Sequence, residues 1–207
     1  MIKKTTGLIT ILLLISLILI GITTASVLTD SNSSYTEETD LDKITNEVID
    51  EISTYIQIKD LKGKFYEIDG VKKIQKIAIL ISPLVTQEIS LSQLIIQLNN
   101  GESLSMLTYS SNAKSLDQSS IFENKIWDNI AEKNFGFIGI CDLDNSLINY
   151  DTINDYSDNV YIVFKLPSDM ALAKHEKLIV TLIPSPGLTK IIELEAPLPI
   201  KSIVTFE

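Results

Sequence analysis

From Thr5 to Thr29 the chain carries no charged residue, and Leu8 to Leu28 holds fourteen Leu, Ile or Val. Removing each such side chain from water is worth roughly 1.5–3 kcal/mol, so the segment carries about 20–40 kcal/mol of hydrophobic drive. A run of this kind must lie in a bilayer or in the dry centre of an assembly. As a helix it would reach about 31 Å, close to the hydrocarbon thickness of a membrane. Lys3 and Lys4 stand just before it, which predicts an N-terminus retained on the inner side.

Three readings of this segment are open. It could be a signal peptide cut near Thr23-Thr24-Ala25, but the apolar run is longer than the 7–15 residues usual for one. It could be a permanent membrane anchor. It could be a pilin-type leader, in which a short basic peptide is removed and the apolar helix kept. The continuation bears on the choice. After a polar stretch from Ser31 to Asp40, the residues Leu41, Ile44, Val48, Ile52 and Tyr55 recur at helical spacing, and neither Gly nor Pro occurs between Ala25 and Lys62. That stripe predicts an amphipathic helix continuing the apolar one. A cleaved signal has no use for it, whereas a helix that packs against copies of itself does.

Beyond Gly63 the period becomes strand-like. Runs rich in Ile, Val, Leu and Tyr occur at 76–81, 90–98, 103–109, 135–141, 160–166, 177–183, 189–194 and 202–206. Turn residues separate them: Asn99-Asn100-Gly101 as a hairpin signal, then Asp142 to Ser146, Pro167-Ser168-Asp169 and Pro184-Ser185-Pro186-Gly187. The segment 119–130, holding Trp127, reads as a short helix or turn. The expected fold class is therefore α+β: a long hydrophobic then amphipathic N-terminal helix followed by an antiparallel Ig-like β-sandwich. The expected division is a leader at 1–7, a filament-core or transmembrane helix at 8–62 and a sandwich at 63–207.

Charge and chemistry narrow the function. The 17 basic and 27 acidic residues give a formal net charge of −10, which excludes a basic nucleic-acid footprint. One cysteine, Cys141, allows no intrachain disulfide and reads as a small core hydrophobe. The single histidine, His175, sits among Lys and Glu and reads as a solvated loop residue. No Gly-x-Ser-x-Gly elbow, phosphate loop or Cys/His cluster is present, so the expectation is a protein that is not an enzyme. Asp142, Asp144 and Ser146 offer oxygens at alternating positions, as the first half of a calcium loop does. They are a candidate structural calcium site, or an acidic turn closing a strand. Asn32-Ser33-Ser34 is the one N-glycosylation sequon.

These pieces occur in the order found in a known family. Lys3-Lys4-Thr5-Thr6-Gly7-Leu8 resembles the leader and cleavage site of the archaellins, the filament subunits of the archaeal motility organelle. Ile52 to Ile56 followed by Gly63 resembles the end of their long helix. Trp127, Phe135-Gly136-Phe137-Ile138 and Asp142-Leu143-Asp144-Asn145-Ser146 resemble their middle block, and Ile183 to Gly187 with Ile192 to Pro197 their C-terminal block. The resemblance implies cleavage between Gly7 and Leu8 by a prepilin-type peptidase and residence in the membrane before assembly. It further implies a homo- or hetero-polymer at the cell surface, with helices in its core and sandwiches outside. The alternative from another class is a membrane-anchored accessory protein whose sandwich binds an envelope partner. Such a protein keeps its N-terminus.

Overall fold

The structure, a computed structural model, describes residues 56–84, 86 and 88–206, all within one compact unit, Ile49–Glu207. The leader junction Gly7–Leu8, the apolar segment, its amphipathic continuation as far as Tyr55 and the Asn32 sequon lie outside the described residues. Among the described residues no helix is long and apolar enough to cross a membrane.

Among the described residues, eleven strands and two short helices follow one another, with a 3-10 turn at Leu91–Gln93. They are β1 (Ile56–Ile68), β2 (Val71–Pro83), β3 (Ile89–Ser90), β4 (Ile95–Asn99), β5 (Leu104–Ser115), α1 (Ile126–Asn129), β6 (Asn134–Cys141), α2 (Ser146–Tyr150), β7 (Thr152–Ile153), β8 (Asn159–Lys165), β9 (Lys177–Ile183), β10 (Lys190–Glu195) and β11 (Ile203–Thr205). Nine strands form one sheet in the order β10-β9-β4-β5-β6-β8-β2-β1-β11, and β3 pairs with β7 in a second, small sheet.

Alternation explains how this sheet closes on itself. Ile77, Ile79 and Ile81 of β2 point into the same core as Ile96 and Leu98 of β4 and Val180 of β9. The two halves of the sheet therefore bury one face against each other, as the layers of a sandwich do. The half built from β2, β6 and β8 buries its other face too. Ala78, Ile138, Tyr161 and Val163 lie under Phe122, Ile126, Trp127 and Ile130 of the segment around α1. Trp127 donates its Nε1–H to the Ile121 carbonyl at 2.8 Å, which satisfies its only polar group. Burial on both faces is why β6 and β8 read as continuous apolar runs.

Two expectations are corrected. Residues 56–62, assigned from sequence to the end of the long helix, are the first half of β1, so a boundary at Gly63 falls inside a strand. A register shift between Ile58 and Asp60 moves the inward set from Ile56 to Leu61, Gly63 and Phe65, and a bulge of this kind breaks the period-2 signal. The sheet is also not wholly antiparallel: β5 and β6 pair in parallel, from Thr108↔Asn134 to Ser115↔Ile138. The connection through α1 carries the chain back across the sheet, as a parallel pair requires.

The Asn99-Asn100-Gly101 signal does make the β4–β5 hairpin. Asn100 Oδ1 accepts the N–H groups of Glu102 and Ser103 at 3.0 and 2.7 Å, and Gly101 takes φ +89°. The side chain supplies the turn's hydrogen bonds and glycine its left-handed backbone.

Candidate functional site: an acidic loop cluster

The loop between β6 and β8 gathers the acidic chemistry. Cys141 pairs with Asn159 across these strands, so the residues flanking that pair, Asp142 and Asp158, are brought to the same sheet end. One oxygen each from Asp142, Asp144 and Asp158 lie within 4.8 Å of one another. Asp142 and Asp144 were expected together; Asp158, remote in sequence, was not, and only the antiparallel pairing brings it in.

The loop is built to hold this shape. Asn145 and Asp151, at the two ends of α2, both adopt left-handed backbone, with φ 63° and 53°, as Asn and Asp tolerate better than most residues. Asp144 Oδ1 accepts the Ser146 N–H at 3.0 Å, and its Oδ2 accepts Asn154 Nδ2 at 2.7 Å. Ser146 Oγ donates to the Thr152 carbonyl at 2.9 Å and lies 3.1 Å from Asn154 Oδ1. Ser146 thus ties the two arms of the loop together. Asp158 Oδ2 accepts the N–H groups of Asn154 and Asp155 at 2.9 and 3.1 Å.

What remains is unsatisfied. Asp158 is fully buried, yet its Oδ1 has no partner among the described residues. Both carboxylate oxygens of Asp142 are shut off from solvent and receive no hydrogen bond of normal geometry. Buried polar oxygens without partners are costly, and charged ones more so. Burial raises the Asp142 carboxyl above its ordinary value; the Asp144 carboxylate, as acceptor, favours the protonated form of Asp142, and the Asp158 charge adds to the rise, while the Leu147 N–H opposes it weakly. The exposed Asp144 goes the other way, held at about 2 by Asn154 and the Ser146 N–H. A hard divalent cation answers both features, since it takes oxygen ligands and offsets clustered negative charge.

The other singled-out residues stand outside this cluster. His175 is exposed, with Nδ1 3.4 Å from Glu195 Oε1. Cys141 is half-buried at the end of β6 rather than in the core as expected, because the sheet ends there.

No family model matches the chain. Flagellin B3 of Methanocaldococcus jannaschii is 28% identical in an alignment 198 residues long that covers 92% of this chain and 89% of that protein. The crystal structure of archaeal flagellin FlaB1 from the same organism superposes with a TM-score of 0.63 at 19% identity, over 73% of this chain and 95% of that one. A chain of the archaeal flagellum of Methanospirillum hungatei gives 0.53 at 11% identity, over 92% and 93%. The chain is thus similar in sequence to an archaeal flagellin along most of its length, and in fold to the flagellin and flagellum chains.

Proposed function

We propose that the chain is a structural subunit of the archaeal motility filament, polymerising through its N-terminal helix with copies of itself or sister subunits. The observation that carries this is the 28% identity to flagellin B3 across 92% of the chain, more of it than the β domain alone spans. In this reading the sheet domain forms the outer shell and the chain turns over no substrate. The helix sits in the membrane until a prepilin-type peptidase cuts between Gly7 and Leu8, then moves to the filament core. Filaments sheared from the cell surface should contain this chain; its retention in the membrane fraction would favour the accessory-protein alternative.

Within the shell, the acidic loop is a calcium site. Asp142, Asp144 and Asp158 hold the ion and brace the end of the β6–β8 pair in a domain without a disulfide. The support is the set of orphaned buried oxygens. Asp144, open to solvent, gives the ion its way in.

Full chain in detergent, melted with calcium and with chelator, tests the site. At a hundredfold excess over the dissociation constant, calcium should stabilise by about 2.7 kcal/mol, a rise of roughly 5–10 °C for a protein of this size. Asp142→Asn should abolish that rise. In chelator at pH 7 it should instead melt above the parent, since it removes a buried like charge. The sign follows from linkage. The folded Asp142 carboxyl is raised, so its stability is present below the unfolded value and is lost as pH climbs through the folded one. The variant's advantage must therefore shrink on acidification. Asp144, depressed, contributes above its unfolded value and loses that contribution as pH falls toward about 2. A calcium response retained in Asp142→Asn removes the site.

A further inference from the structure

Three lysines stand in a row across three adjacent strands. Lys64 of β1 faces Lys76 of β2, and Lys76 faces Lys165 of β8. Like charges directly opposite one another weaken a sheet, so this arrangement invites a reason. Lys76 and Lys165 share a face with Ala78 and Val163, which lie under α1. The row therefore lies on the outer face, and Lys62 and Lys73 extend it: Lys62 is opposite Ala78, and Lys73 opposite Tyr66. Aromatic rings hold the cations. Lys64 and Lys76 lie 5.5 and 5.2 Å from the Tyr66 centroid, Lys76 lies 4.7 Å from that of Trp127, and Lys62 lies 5.5 Å from that of Tyr161. Two carboxylates answer them, Asp60 on Lys62 and Glu123 on Lys64. The five lysines are half-buried, and Lys165 also donates to the Ile130 carbonyl at 3.1 Å; with two paired carboxylates among the described residues, they leave a cationic, aromatic-lined face on a chain whose net charge is −10.

The opposite character is found at the other end of β8. Between Lys133 and Lys165 there is no basic residue, and the loop after β6 carries Asp142, Asp144, Asp151, Asp155 and Asp158. Lys114, from β5, pairs with Asp151 at 3.0 Å and Lys59 donates to Asn159 Oδ1 at 2.6 Å; among the described residues no lysine forms an ion pair with the loop's other aspartates. Its rim exposes Leu143, Tyr150 and Tyr156 at 79%, 76% and 69%. Exposed aromatics beside charge are the composition of a protein contact surface. A calcium ion at the cluster would leave one net negative charge on its three ligands and would leave Asp155 untouched; Asp151 is already paired with Lys114.

The two patches are separated along β8, from Asn159 at one end to Lys165 at the other, about 20 Å of strand. One molecule cannot press them together, so each is free for another. We infer that the acidic, tyrosine-rimmed loop of one copy docks on the lysine face of β1, β2 and β8 of a second copy. Such a contact joins two different surfaces, and a heterologous contact repeats into open helical polymers when it does not close into a ring. This inference rests on the filament reading and specifies how neighbouring shell domains meet.

The test is a charge swap in the full chain, scored as the amount of filament sheared per cell. Tyr156→Lys puts a cation in the acidic rim at a side chain that makes none of the loop's hydrogen bonds, and Lys73→Glu puts an anion in the lysine face. Each alone should cut filament yield by roughly tenfold, since each sets like charges against one another. Combined, they should recover most of the yield, because the new pair is again opposite in sign. Unchanged melting of each variant separates docking from misfolding. Wild-type yield from both single variants, or no recovery in the double variant, overturns the docking. Failure of the unmodified chain to form filaments overturns the filament reading itself, a distinct result.

Discussion

Ile18→Asp should abolish filaments and leave the sheet domain folded. Residues from Leu8 to Leu28 include no charged residue, and in the proposed filament a helix of them must be surrounded on every side, by lipid before assembly and by neighbouring helices afterwards. A carboxylate placed there is buried without a partner and costs several kcal/mol in each subunit. The helix could escape only by leaving the bundle, which is loss of the polymer. Leu14→Asp should behave alike. The measurement is electron microscopy of sheared material beside a melt of the same variant in detergent. Normal filaments from either variant contradict packing of this segment in a dry core.

The second large effect is local to the sheet. A Cβ on Gly136 would sit 2.2 Å from the Ala113 carbonyl oxygen and 2.7 Å from its Cβ. These atoms belong to β5, where the register to β6 shifts between Tyr109 and Lys114, so β5 lies directly over the glycine. Backbone of a paired strand cannot swing aside. Overpacking in a filled core costs typically 1–3 kcal/mol, and against backbone the upper end applies. Gly136→Ala should therefore lower the melting temperature by roughly 6–12 °C. Gly139→Ala is the informative control. Its Cβ would meet Leu116 Cδ2 at 2.7 Å, the far end of a side chain that can rotate, so its loss should be clearly smaller. Equal losses in the two variants would show that β5 does not lie over Gly136 as described.

Much of the β domain was legible because both faces of its central strands are buried. β9, Lys177–Ile183, is legible to the residue through its alternation, with Leu178, Val180 and Leu182 buried, and the runs read for β6 and β8, buried on both faces, differ from the strands by one residue at the ends. Ile, Val and Phe in unbroken runs of this length leave few other structures. β1 was hidden for a physical reason: its bulge breaks the alternation, and no Gly or Pro marks where the helical stripe ending at Tyr55 gives way to strand. The parallel β5–β6 pair was hidden because strand runs and turns carry no direction of pairing when the connection is long enough to cross the sheet. At the acidic loop, Asp142 and Asp144 were visible through their spacing. Asp158 needed the Cys141↔Asn159 pairing, which no local pattern encodes.

The filament reading stands or falls most directly on the N-terminus of the mature chain. Mass spectrometry of this protein taken from sheared filaments should give a polypeptide beginning at Leu8, with Met1 to Gly7 removed and the apolar helix kept. A chain that begins at Met1 and stays in the membrane fraction, or one that begins at Ser26 without the apolar segment, would contradict it.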